Sequence, residues 1–266
     1  MRNVIISVAP VDGNCHVLEP RTIAEDIIEC SLAGAGILHL HVRDYQGRLT
    51  ANLAAFHDIV GRVRKESNIV IQVSPGGISP IPMKERCIPL FEPEVEMTSL
   101  NMTSMNFGKT VRVIYPEDVE CLLSEAEQAG TTAEVEIFDP GDIYTYQMYR
   151  EEFKPDSPTL FNIGLGHPGR LPAEPKALAA FMPFIPQGTY WGFTQIGRRN
   201  FDMIREALRM GAHAVRIGME DSPWLSAGQK AERNVEIVRE TAALIRETGA
   251  KTASPDEIRA QFGLGR

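Results

Sequence analysis

Short apolar runs rich in β-branched residues recur along the chain, and most are separated by segments whose apolar residues return every three or four positions. That alternation predicts repeated βα units. Eight runs qualify as strands: NVIISVA (3–9), GILHLHV (36–42), NIVIQVS (68–74), VEMTSLN (95–101), AEVEIFD (133–139), TLFNIGLG (159–166), TYWGFTQ (189–195) and AHAVRIGM (212–219). Helical periodicity is strongest over 20–34, 51–65, 116–129, 200–211 and 227–248. In SLAGAG, AEQAGT, LRMGAH and RETGAK a glycine falls where a helix stops before the next strand. Segments after the third, fifth and sixth runs carry more proline and less periodicity, which predicts short or irregular helices there. The closing stretch ASPDEIRAQFGLGR predicts a short helix capped by Ser254 or Asp256, with a face for a neighbouring subunit.

Mostly apolar strands are covered on both faces, which points to a closed parallel TIM (β/α)8 barrel spanning residues 1–266 as a single catalytic domain. An open doubly wound sheet is the alternative, but it normally carries a Gly-rich nucleotide loop after the first strand, and this chain has none there. The length of 266 residues suits the barrel, because such domains run to about 250 residues. Hydrophobic residues at 43% are enough to fill a sizeable core.

Lys and Arg number 27 against 35 Asp and Glu, a net charge of −8, and no basic run tracks a phosphate backbone, so nucleic acid is not an expected partner. The opening MRNVIISVAP is too briefly apolar for a signal peptide or a membrane span and reads as the first strand of a cytoplasmic protein. Cys15, Cys30, Cys87 and Cys121 form no CxxC pair and read as free thiols.

The sharpest chemical feature is HLHVRD at 39–44. Alternation along a strand points His39 and His41 the same way, with Cα atoms about 6.6 Å apart, a spacing that lets two imidazoles converge on one cation. Two histidines hydrogen-bonded inside a barrel would give the same pattern. Glu220, just past the eighth run, supplies a third ligand at the same rim, and two His plus a carboxylate suit catalytic zinc, iron or manganese. Ser74, followed by Pro75, Gly76 and Gly77, offers a hydroxyl and backbone donors for an anion or enolate oxygen. Thr98, Ser99 and Asn101 lie at the end of the fourth run. Glu134 and Glu136 share one face of the fifth, where two carboxylates need a cation or a proton to stay. Arg216 and Asp221 can pair, as an oriented base or as a plain salt bridge. Arg198 and Arg199, in GRRN before a helix, can meet a phosphorylated cofactor or stand as solvated charges.

The runs GAGILHLHVRDYQGRLT, QVSPGG, SLNMTSMNFG, EVEIFD, QIGRRN and AVRIGMEDS follow one another over nearly the whole chain. Together they resemble the beta-keto acid cleavage enzyme family, which includes the 3-keto-5-aminohexanoate cleavage enzyme. The resemblance implies a zinc-dependent barrel that condenses a β-keto acid with acetyl-CoA, giving acetoacetate and a new acyl-CoA. It implies zinc on His39, His41 and Glu220, with the keto acid chelating through carbonyl and carboxylate. Asp221, oriented by Arg216, would take the α-proton; the carbanion would attack the thioester, CoA would migrate, and a retro-Claisen step would release acetoacetate. Ser74 and Thr98 match polar residues around the reacting oxygens, and either Glu134 or Glu136 matches a glutamate. Such barrels assemble as homo-oligomers, tetramers or dimers. The aminohexanoate enzyme has a glutamate suited to the substrate ammonium in the loop after its first strand; here VAPVDGNCHVLEP places Asn14 at that position. A neutral amide cannot supply that charge, so the substrate is expected to lack the 5-amino group unless Asp12 substitutes. Two further readings are a metal-dependent hydrolase or aldolase without CoA, and a non-catalytic barrel that binds a metabolite.

Overall fold

A computed structural model describes residues 2–153 and 158–265. Its principal sheet contains β1 (Asn3–Val8), β2 (Ile37–Leu40), β3 (Val70–Val73), β4 (Val95–Asn101), β5 (Thr132–Ile137), β6 (Leu160–Leu165), β7 (Tyr190–Gln195) and β8 (Ala214–Ile217). Each pairs in parallel with the next, and β8 returns to β1 with Ile5 opposite Ala214 and Val8 opposite Ile217. All eight predicted runs are strands, and closure of β8 on β1 makes them a barrel rather than an open sheet. Outward side chains such as Val4, Ile6, Leu38, Leu40, Val135 and Val215 join one large apolar cluster beneath the helices. This explains why the strands read as nearly unbroken apolar runs.

Helices α1 (Pro20–Leu32), α2 (Ala54–Val63), α3 (Met83–Arg86), α4 (Pro116–Ala129), α5 (Pro140–Phe153), α6 (Pro175–Phe181), α7 (Asp202–Arg209) and α8 (Asn234–Glu247) alternate with the strands. The segments after β3 and β6 are short, as predicted, but α5 is a regular helix of 14 residues. Its opening Asp-Pro-Gly resembles a turn, yet proline suits the first helical turn, and buried Asp142 accepts the backbone N–H groups of Phe138 and Asp139 at 2.8 and 2.9 Å. Helix α8 begins seven residues later than predicted, because Trp224–Ser226 and Gln229–Lys230 pair as an antiparallel ribbon. A second ribbon, Met105–Phe107 against Thr110–Arg112, stands after β4.

The final helix, α9 (Pro255–Phe262), is capped by Ser254, whose Oγ accepts Glu257 N–H at 3.2 Å while Ser254 N–H donates to Glu257 at 2.9 Å. Its apolar side turns inward. Ile258 and Phe262 pack beneath the barrel against Ile5, Ile37, Val70, Met97, Leu160 and Ala214. Arg259 fixes the helix there through Glu96 at 2.6 and 2.8 Å. The lower barrel is thus an apolar plug, and the interior above it is polar. No helix among the described residues is long and apolar enough to cross a membrane, and all four cysteines are free thiols.

Candidate active site

His39 projects from β2 into the barrel, and His41 follows it at the upper end, their ring centroids 5.5 Å apart. The chain leaves β8 through Gly218 at φ +142°, where a Cβ would collide with the Ala9 carbonyl oxygen. Only glycine suits that turn. It lets Glu220 donate its N–H to the same carbonyl at 3.2 Å and lean toward the imidazoles. Glu220 Oε1 lies 3.5 Å from His41 Nε2 and 4.0 Å from His39 Nε2, and the three ligand atoms fall within 4.8 Å of one another.

A chain of hydrogen bonds beneath this cluster sets the tautomer of His39. Gln72 donates its Nε2–H to Glu134 at 3.1 Å, so its carbonyl oxygen must face His39 Nδ1, 2.6 Å away. Nδ1 therefore carries the proton, and the Nε2 lone pair is left open. Asn162 donates to the other Glu134 oxygen at 2.8 Å and accepts from Thr194 at 2.9 Å. Burial, assisted by Arg216, holds the His39 pKa down to about 4, so the ring is neutral. His39 Nε2 is buried and without a hydrogen-bond partner, which is the observation that calls for a ligand. Two imidazoles and a carboxylate fit a divalent cation with a position left for substrate.

Arg216 gathers the carboxylates. It grips both oxygens of Asp221 at 3.0 and 3.1 Å, Glu220 at 2.7 Å and Glu136 at 2.5 Å. Burial lifts Asp221 to about 6 against the pull of Arg216. Burial also opposes the charge on Glu136, but Arg216, then His39 and Arg112, hold it down to about 2. Glu220 is held below the usual carboxylate range, His41 and Arg216 outweighing burial. Glu136 therefore faces the cluster of charges at the mouth, whereas Glu134 lies a layer lower in the Gln72–Asn162 network and is raised by burial.

The other predicted residues divide. Ser74 Oγ accepts from Ser99 Oγ at 2.8 Å and from Gly76 N–H at 3.2 Å, and Asn101 donates to Glu136 at 2.7 Å. The Gly76 N–H is thus spent on Ser74. Gly77 passes His41, and its carbonyl accepts from Arg86 at 3.1 Å. Thr98 is a correction: it stands in register with Ala133, which packs on the outer cluster, while the neighbouring Ser99 is in register with inward Glu134. Alternation therefore turns the Thr98 side chain away from the mouth, and Ser99 takes the inward place. Arg198 is a second correction: it is 2% exposed, and its guanidinium donates to the carbonyls of Trp224 and Ser222. It holds the segment after β8 and is not offered to a phosphate. Arg199 is exposed and stacks 4.2 Å over Trp224. Asn14 is exposed after β1, with its backbone and side-chain N–H groups both on Asp12.

Sequence reading missed Gln72, Asn162 and Arg112. The first two were visible as lone amides within apolar strands. Arg112, on the ribbon after β4, looked like a surface charge but is buried, and burial lowers its pKa to about 10.

Comparison with known proteins gives the family. A family profile described as beta-keto acid cleavage enzyme matches residues 13–264. The chain is 31% identical over 244 residues to a 3-keto-5-aminohexanoate cleavage enzyme of Fusobacterium nucleatum subsp. nucleatum, covering 91% of this chain and 88% of that one. It is 29% identical over 253 residues to a 3-oxoadipate:acetyl-CoA acetyltransferase of Cupriavidus necator, covering 92% and 88%. In fold it is similar to ObcA, solved as a ternary complex with a C4-CoA adduct and oxalate, with a TM-score of 0.80 at 20% identity over 93% of this chain and 67% of that one. The chain belongs to the beta-keto acid cleavage enzyme family.

Proposed function

We propose that the chain condenses a β-keto acid with acetyl-CoA, producing acetoacetate and an acyl-CoA. The observation that carries this reading is the convergence of His39, His41 and Glu220 beside the Arg216–Asp221 pair. The names of the relatives support the use of acetyl-CoA. A zinc ion on His39, His41 and Glu220 would act as a Lewis acid that lowers the cost of forming the keto acid's enolate.

Asp221, held by two bonds from Arg216, removes the proton between carbonyl and carboxylate. The resulting carbanion forms a carbon–carbon bond to the thioester carbonyl and displaces the CoA thiolate. That thiolate adds to the substrate's original ketone, and cleavage of the bond between that carbon and the α-carbon leaves acyl-CoA and the acetoacetate enolate, which takes back the proton held by Asp221. Ser74 lies where its hydroxyl can meet a developing oxyanion, and Glu136 keeps Arg216 charged and in place. Arg199, exposed beside Trp224, is the cation offered to the CoA phosphates. Asn14 argues against an ammonium-bearing substrate. The closed sheet supports a one-domain reading of residues 1–266, and the proposal takes the protein as a cytoplasmic homo-oligomer, tetramer or dimer.

The test is acetoacetate formation from a panel of β-keto acids. Turnover should require acetyl-CoA, vanish with a chelator and return with Zn2+. Turnover without acetyl-CoA would favour a hydrolase or aldolase instead.

A further inference from the structure

Asn234, the first residue of α8, is 4% exposed, and its amide spans two loops of the barrel mouth. Its Oδ1 accepts the Met219 N–H at 2.8 Å, and its Nδ2 donates to the Pro10 carbonyl at 3.1 Å and to Asp26 at 2.9 Å. A carbonyl and a carboxylate accept, and a backbone N–H donates, so the amide fits in one orientation. Near a helix start an asparagine ordinarily accepts an N–H of its own helix. Other groups do that here. Asp26, buried on α1, accepts the N–H groups of Asn234 and Val235 at 2.9 and 3.2 Å, and Glu236 accepts those of Glu232 and Arg233 at 2.8 and 2.9 Å. The Asn234 carbonyl is thereby left for Met219.

The two loops it joins are the ones that set Glu220. Ala9 and Pro10 are consecutive, as are Met219 and Glu220. The Glu220 N–H reaches the Ala9 carbonyl at 3.2 Å, and Asn234 links the neighbouring Pro10 carbonyl to the Met219 N–H in parallel. Among the described residues, that 3.2 Å bond would be left to tie Met219 and Glu220 to the end of β1 if the amide were removed.

We propose that Asn234 is a positioning residue for the metal site: by bridging Met219 to Pro10 from α8, it holds Glu220 where His39 and His41 converge. This rests on the metal reading above, in which those three side chains are the ligands. Asn234 itself touches neither metal nor substrate.

The test uses Zn2+ alone, with affinity measured by competition with a fluorescent chelator well below each variant's melting temperature. Asn234→Ala should raise the Zn2+ dissociation constant by about 10–100-fold, the range for lost outer contacts at metal sites. It should also shrink the rise in melting temperature that a fixed Zn2+ concentration gives wild type. Asp26→Ala is the contrast, because it strips the same helix end but leaves the bonds to Met219 and Pro10. It should lower the melting temperature without metal and leave Zn2+ affinity close to wild type. The visible spectrum of bound Co2+ should move in Asn234→Ala and not in Asp26→Ala. Asn234→Ser, suited to a helix start but too short to span both loops, gives the same reading where the alanine variant fails to fold. Unchanged Zn2+ affinity in the Asn234 variants, or equal weakening in Asp26→Ala, would reduce Asn234 to a support of the helix end and overturn the proposal. Absence of Zn2+ binding by wild type would overturn the metal reading, and this one with it.

Discussion

Replacing Gln72 with methionine tests whether the buried network prepares His39 for a cation. Methionine keeps the length of the side chain but removes the acceptor 2.6 Å from His39 Nδ1 and one of the two amide donors on Glu134. To bind a metal through Nε2, His39 must then keep a proton on a buried Nδ1 with no acceptor, which costs about 1–3 kcal/mol. Loss of an outer hydrogen bond to a metal-binding histidine typically weakens binding by about 10–100-fold, or about 1.4–2.7 kcal/mol. The two figures agree, so the Zn2+ dissociation constant of Gln72→Met should rise by about that factor. Competition with a fluorescent chelator measures it, with His39→Ala as the limit of a lost ligand and melting curves as a check on folding. An affinity within twofold of wild type would show that the network does not set the ring, and the argument from Gln72 would be wrong.

Asp221→Asn should keep the shape of the Arg216 pair but remove the base, lowering acetoacetate formation by about 10²–10⁴-fold; a loss under tenfold would remove Asp221 from that role. Thr98→Val should leave kcat/KM within about twofold and melting temperature unchanged or raised, because it deletes a buried hydroxyl without a partner that faces the helices. Ser99→Ala, by contrast, removes the donor to Ser74 and should lower kcat; the opposite ranking would restore Thr98 to the mouth. Ile258→Ala, at a side chain with no exposed surface, should cost about 2–5 kcal/mol in denaturant unfolding, and a cost near zero would show that α9 is not part of the folded core.

The barrel was legible because its strands are buried on both faces, so apolar runs and glycine stops recur at a βα period. His39, His41, Glu220, Asp221 and Arg216 were legible for a related reason: polar residues at the end of an apolar strand have few other uses. Thr98 and Ser99 show the limit. Adjacent residues on a strand face opposite ways, and the choice depends on the register with β5, which pairs Thr98 with Ala133 and Ser99 with Glu134. Arg198 and Arg112 failed in opposite directions. The helix after GRRN suggested an anion site, but loop carbonyls took the Arg198 guanidinium, while Arg112 lies in a ribbon whose inward side only tertiary packing decides.

The plug formed by α9 makes the barrel a cup with one rim. For the proposed reaction both reactants enter, and both products leave, on that side. The small keto acid has to sit deepest, so the bulky thioester follows it in. Acetoacetate, formed underneath, then waits for the acyl-CoA to go, and the order of traffic is built into the closed floor.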